Sequence, residues 1–293
     1  MNSTNVKSNQ TQNVTRMSTV EMKEKIITQK SAHISRSSQY SVITTEDVLK
    51  MFEAEGFTWN LVSYEKSRKE TYKGYGTHLI ALDSPELTFE DPTLNIEVTP
   101  RIYLKNSYHG RTSFVLDLGL FRTYCRNGLI LGTRFKSVQL RHIRLTQSEI
   151  KKTVEIIKKE YNERVMPLLV ALKTTPMSQE DQELFADLSL RMRMRSCKTY
   201  IRGEHLTLLK SNRPEDDGVS TWEIFQRVQD NLGLNFRGNP RDISYTYLDK
   251  DENGVDEEKT RKVRETMSIK AVTEMNRELF DLIEWFMNGK PAK

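Results

Sequence analysis

The segment from Arg101 to Arg144 limits what this chain can fold into more than any other. Its apolar residues alternate with polar ones, and it carries nine basic residues against a single acid, Asp117. Ile102 and Leu104 alternate with Arg101, Tyr103 and Lys105, the period of two of a half-buried strand. Residues 106–110, Asn-Ser-Tyr-His-Gly, have turn chemistry. Thr112, Phe114, Leu116 and Leu118 then alternate with Ser113, Val115 and Asp117 as a second strand. The Asn127-Gly128 pair reads as a hairpin turn, and Arg134 to His142 alternates again. The pattern predicts an antiparallel meander of about three strands. The whole chain has a net charge of only +5, so the rest of it is net acidic and the positive charge sits on the sheet. A basic sheet suits a polyanion.

The remaining segments fill in an α+β fold. Residues 1–42 are rich in Ser, Thr, Asn and Gln without apolar clustering, and read as a disordered polar arm. Residues 43–293 read as a single domain, with the sheet over 57–143 and the helical part over 146–287. Thr44 and Asp47 cap a first helix that Gly56 ends. Phe57–Tyr64 and Thr77–Leu82 read as strands, Lys69–Gly76 as a turn and Pro85–Asp91 as a loop. Thr146 and Glu149 cap a long helix that Pro167 should interrupt. Ser178 and Asp181 cap the next helix, a third begins at Thr221, and a last one spans roughly Val263–Met287. Residues 241–262 are polar and charged and read as an exposed insertion.

Several classes of function find no support. No apolar run reaches the ~20 residues of a membrane span, and the first residues lack a signal-peptide core. Two cysteines, Cys125 and Cys197, fit a reducing cytoplasm rather than a disulfide framework. Asp249-Lys-Asp-Glu-Asn-Gly254 resembles the start of a calcium loop, but Thr260 stands where a bidentate Glu is required. An acidic surface loop accounts for it better. His109, Cys125 and His142 are singletons without the paired spacing of a zinc site, and a Cys125/His142 nucleophile pair lacks an orienting third group. No cofactor or metal is expected, and no catalytic residue is nominated. A second basic cluster, Arg191, Arg193, Arg195, Lys198 and Arg202, fits a helix C-terminus complementing its dipole as well as it fits a phosphate contact.

Two groups of residues carry a family resemblance. The first comprises Asn106, Gly110, Arg122, Cys125, Asn127, Gly128 and His142; the second comprises Trp222, Phe225, Gln229 and Asn231. In this order they resemble the phage/plasmid-like protein family, a domain of unknown function found in bacteriophages, prophages and plasmids, over about residues 45–287. Gln226, Asp230 and His109 depart from the pattern, and the 241–262 region is longer than usual for it. The resemblance implies a role in replication, recombination or evasion of host defence, and no settled activity.

The expected function is a non-enzymatic DNA-binding protein of the bacterial cytoplasm. Its backbone contacts would come from Arg101, Lys105, Arg111, Arg122, Arg134, Lys136, Arg141 and Arg144. Tyr103, Tyr108 and Phe135 would offer stacking faces, with a slight preference for single strands. A homo-oligomer is expected by analogy with annealing factors. The alternative is an interaction protein that binds a host defence or replication factor. For Arg122 and Asn127-Gly128 the structural alternative is an ion pair with a buried carboxylate and a simple chain reversal.

Overall fold

The structure is a computed structural model. It describes residues 44–65, 75–92, 96–108, 114–122, 127–130, 138–140, 146–234, 242–263 and 268–288. The polar arm, the Lys69–Gly76 turn up to residue 74, and the side chains of most of the basic segment lie outside the described residues.

Helix α1 (Thr45–Glu53) opens with the expected capping box between Thr44 and Asp47. It ends at Gly56, whose φ of +83° a residue with a side chain rarely adopts. A large antiparallel sheet follows. Its strands are β1 (Thr58–Glu65), β2 (Thr77–Asp83), β3 (Phe89–Asp91), β4 (Ile96–Ser107), β5 (Phe114–Arg122), β6 (Asn127–Ile130) and β7 (Val138–Leu140). The main path runs β1-β2-β4-β5-β6, with β3 also paired to β4 and β7 to β5. The stretch Pro85–Asp91, expected as a loop, contains a 3-10 turn and then β3.

Strand β4 begins five residues before Arg101, and Pro100 lies inside it. On the side away from β5, β4 pairs first with β3 over Ile96–Val98 and then with β2 over Arg101–Ser107. Pro100 falls in the gap between these partners, where the missing N–H costs no ladder bond. The Asn-Gly pair is not a turn centre. Asn127 pairs with Arg122 and Gly128 with Phe121 inside the β5–β6 ladder.

The helical part begins with α2 (Gln147–Glu160), capped by Thr146 and Glu149 as expected. One wide π turn, Tyr161–Val165, separates it from α3 (Met166–Thr174). Proline cannot donate in a helix and its ring crowds the carbonyl four residues back. The wider turn just before Pro167 accommodates that crowding and interrupts the α-helical hydrogen-bond pattern there. Helices α4 (Gln179–Arg193) and α5 (Thr221–Asn231) start at Ser178 and Ser220 caps. The last helix, α6, runs Ile269–Met287 from a Ser268 cap, six residues later than the sequence pattern suggests.

Most of the segment expected as an exposed insertion, 241–262, is strand. It forms the hairpin β9 (Ser244–Lys250) and β10 (Asp256–Lys262), which with β8 (Tyr200–Gly203) makes a second antiparallel sheet, ordered β10-β9-β8. Its charges form cross-strand pairs: Lys259 with Asp249 at 3.3 Å, Lys262 with Asp242 at 2.6 Å and Arg202 with Glu258 at 2.6 Å. The polar composition of the outer strand, exposed at every residue but Lys259, hides this hairpin from a reading of the sequence. The inner side carries Tyr200, Tyr245 and Tyr247, packed at 5.8–6.4 Å between ring centroids.

One continuous core joins the layers. Ile80, Leu82, Ile102, Leu104, Leu116 and Leu118 cover one face of the large sheet, packed with Val48, Phe52, Ile150, Val154 and Ile157 from α1 and α2. Phe185, Phe225, Phe280 and Ile283 extend this core through α4, α5 and α6. Among the described residues no helix is long and apolar enough to cross a membrane.

Candidate nucleic-acid interface

The pleat puts odd-numbered residues of β4 on the face opposite the main core. Across this face Asp83 stands beside Arg101, Ala81 beside Tyr103 and Leu79 beside Lys105. On the other flank Gly119 stands beside Arg101, Asp117 beside Tyr103 and Val115 beside Lys105. Alternation thus gathers Arg101, Tyr103 and Lys105 on one surface, as the sequence pattern requires. That surface is not open. Arg101 is 6% exposed and donates two hydrogen bonds to Asp83, at 2.5 and 2.6 Å. Its guanidinium also lies 5.9 Å from the Tyr103 ring centre. Tyr103 is fully buried in a small cluster with Leu79, Ala81, Ile130 and Ile269.

Helix α6 covers this face. Its Arg277 donates to the carboxylate of Asp117, which is buried. Burial pushes the Asp117 pKa up, opposed by the charges of Arg277 and Lys105. Both ion pairs consist of a strand residue whose polar tip would be orphaned without its partner. Arg101 and Tyr103 are therefore withdrawn from any backbone-contact or stacking role. Lys105 is half-buried and remains beside Asp117.

Tyr108 is also corrected. It is 5% exposed, its ring packs against His78 at 5.4 Å, and its hydroxyl accepts from the Thr45 N–H at 3.1 Å. It belongs to a buried polar knot at the end of α1. Asn106 donates to Thr45 Oγ1 at 2.9 Å, and Thr45 Oγ1 is 2.9 Å from His78 Nε2. Because Thr45 accepts from Asn106, its proton is free for the ring. The Asn106 side-chain carbonyl accepts from the Ser107 N–H. Burial lowers the His78 pKa to about 4, only partly opposed by the Gly76 backbone, which Nδ1 does not reach with good geometry. His78 is neutral at neutral pH and ties α1 to β2 and β4.

The second group of family-like residues is equally internal. Trp222 stacks on Phe225, which meets Phe280 of α6 edge-on at 5.7 Å. Gln229 donates to Asn276 at 2.8 Å, and Asn276 donates to the carbonyls of Leu234 and Val272. Asn231 donates to the carbonyls of Leu208 and Lys210, both at 2.8 Å. Asn231 and Asn276 thereby supply donors for the carbonyls of Leu208, Lys210 and Leu234, which lie outside the α-helices and strands. Their role is to hold α5, α6 and the Leu208–Lys210 turn together.

Three members of the second basic cluster are neutralised one by one. Arg191 pairs with Asp187, Arg195 with Glu278 and Arg202 with Glu258. At the resemblance to a calcium loop, Asp251 Oδ1 accepts from the N–H groups of Asn253 and Val255, and Gly254 takes φ +78°. The carboxylate builds the hairpin turn. Among the described residues no group of three or more His, Cys, Asp or Glu is placed to hold a metal.

The side chains of Arg111, Arg122, Arg134, Lys136, Arg141, Arg144 and Phe135 lie outside the described residues, as do those of Cys125, Asn127 and His142, together with Gly110. Sequence reasoning missed Asp83, His78, Thr45, Asn276 and Arg277. A signal existed for one of the ion pairs. Asp117 stands alone in the run Phe-Val-Leu-Asp-Leu-Gly-Leu, and a lone acid amid strand apolars asks for a buried cation.

The molecule is thus an α+β protein whose main sheet has an apolar face and a second face closed over by ion pairs. The chain belongs to the family described as a domain of unknown function, DUF932, whose model matches residues 32–274. It is similar to two Escherichia coli K12 proteins, the UPF0380 proteins YfjQ and YafZ. Each is 26% identical over 201 residues, spanning 68% of this chain and 70% of the relative. No solved structure matches the chain.

Proposed function

We propose that this protein is a phage- or plasmid-borne DNA-binding protein of replication or recombination, which holds a nucleic-acid backbone along the β6/β7 edge of the large sheet. One observation carries the reading. Between Arg111 and Arg144 the chain has seven cations (Arg111, Arg122, Arg126, Arg134, Lys136, Arg141, Arg144) and one acid, Asp117. That acid is already engaged by Arg277 from α6. In the second basic cluster Arg191, Arg195 and Arg202 face carboxylates, whereas this stretch has none of its own to spare. Strands β6 and β7 both pair with β5 on the side away from β4, and Arg126, Arg134, Lys136, Arg141 and Arg144 flank those two strands in the sequence. The broader track across the sheet, through Arg101, Tyr103 and Tyr108, is not part of this reading. The mobile-element origin rests on the family resemblance.

Fluorescence anisotropy with single-stranded and duplex DNA across a salt series tests it. Binding should weaken steeply with salt, with a log–log slope of about −0.7 per phosphate contacted on a single strand or −0.9 on duplex. Replacing Arg134, Lys136, Arg141 and Arg144 together by Gln should flatten that slope and leave the thermal midpoint in place. Absence of binding to either DNA at low salt, or an unchanged slope in the folded variant, overturns the reading.

A further inference from the structure

Strand β10 is the edge of the small sheet, and every residue of it except Lys259 is exposed. The direction of its free backbone groups follows from the hairpin ladder. At one end the Val263 N–H donates to the Ile243 carbonyl, and at the other the Asp251 N–H donates to the Val255 carbonyl, both at 2.9 Å. Between them β9 and β10 pair in unbroken register, from Asp256 with Lys250 to Lys262 with Ser244. Hydrogen-bonded pairs recur at every second residue of an antiparallel ladder. Odd-numbered residues of β10 therefore bond to β9. Asp256, Glu258, Thr260 and Lys262 turn their N–H and C=O groups outward.

The charges along this edge are sorted. Asp256, Glu257 and Glu258 occupy the first half, and Lys259, Arg261 and Lys262 occupy the second with Thr260 between. Charged edges ordinarily deter strand pairing. A strand acidic at one end and basic at the other deters most partners but fits its own antiparallel image. We propose that β10 is a homodimerisation edge, on which a second copy of this chain adds its own β10 antiparallel about a two-fold axis at Lys259.

In that register Asp256 faces the second copy's Lys262, Glu257 faces its Arg261 and Glu258 faces its Thr260. Opposed residues point to the same side of the sheet, and outward backbone groups meet outward backbone groups (256 with 262, 258 with 260), so the ladder closes. The one like-charge contact is Lys259 with itself, and each Lys259 is already held by its own Asp249 at 3.3 Å and Glu257 at 3.8 Å. A shift by two residues either way sets Glu258 against Glu258 or Lys259 against Arg261. Charge therefore selects the register as well as the partner. Such a contact is isologous and closes at two copies, unlike a ring. It is independent of the nucleic-acid reading.

Sedimentation velocity of the full chain, with circular dichroism to check folding, tests the proposal through a charge swap. Wild-type protein should sediment as a dimer at micromolar concentration. Arg261→Glu sets carboxylate against carboxylate at both symmetry-related contacts with Glu257, and Glu257→Arg sets guanidinium against guanidinium at the same two places. Each should weaken the dimer about tenfold or more. Mixing the two variants should restore a dimer, because each then supplies the charge the other lacks, and Glu257→Arg/Arg261→Glu in one chain should restore it as well. A folded wild type that is monomeric throughout, a dimer indifferent to either single change, or failure of the mixture to recover would each overturn the proposal.

Discussion

The two sheets contain the same chemistry in opposite settings. In the large sheet, Arg101–Asp83 and Arg277–Asp117 lie inside, with side-chain exposures of 7% and 14% in the first pair and 24% and 1% in the second. In the small sheet, Arg202–Glu258 and Lys262–Asp242 stand in solvent, with side chains 49–72% exposed. Inside the large sheet each charge is tolerable only because its partner is present. In the hairpin, water and salt could replace any partner at little cost. Interior pairs therefore fix the fold, and surface pairs leave charge free for recognition.

Removing one interior partner should break the comparison most visibly. Arg101→Met leaves Asp83 without its cation and should cost about 3–5 kcal/mol in urea unfolding. Adding Asp83→Leu should recover much of that loss, since a matched apolar pair can replace a buried ion pair. If Arg101→Met left stability unchanged, Arg101 would have to be solvent-facing after all.

The His78 knot offers the next effect, through pH. Its folded pKa of about 4 lies below the ordinary value of about 6.5, because the buried ring must stay neutral. The stability it contributes is complete above pH 6.5 and is lost as pH falls toward 4. The total is about 3 kcal/mol. Asp117 acts in the other sense, since its raised pKa favours the folded state as that carboxyl protonates and is lost as pH rises. Urea midpoints taken from pH 7.5 to pH 4 should fall for the wild type and fall much less for His78→Gln.

A smaller loss tests whether interior amides behave like interior ions. Asn276→Leu removes the donors to the Leu234 and Val272 carbonyls and the acceptor for Gln229, and should cost about 1–3 kcal/mol. At the bottom of the scale, Arg202→Ala in the small sheet should change stability by about 0–1 kcal/mol. A larger loss would mean that the hairpin depends on its ladder more than its exposure implies.

Much of the local structure was legible beforehand. Thr44, Thr146 and Ser178 cap the helices they were expected to cap, Pro167 interrupts its helix, and the strand alternation through Ile102–Leu104 and Leu116–Leu118 holds. The errors share a cause. Asn127-Gly128 has turn chemistry yet sits in β6, because pairing with β5 set its conformation. Residues 241–262 read as an exposed insertion, and the β9–β10 hairpin within them goes unread because β10 is polar and charged throughout. At the candidate interface, the alternation correctly put Arg101, Tyr103 and Lys105 on one face but said nothing about what covers it.

By itself the sequence determined where helices begin, where strands alternate and how positive charge is distributed along the chain, because capping, pleat and proline geometry act over a few residues. Which of those charges are interior was decided only by tertiary structure. Arg101 and Asp83 are 18 residues apart and Asp117 and Arg277 are 160 apart. An ion pair exists only when folding brings both ends together and excludes the water that would otherwise separate them.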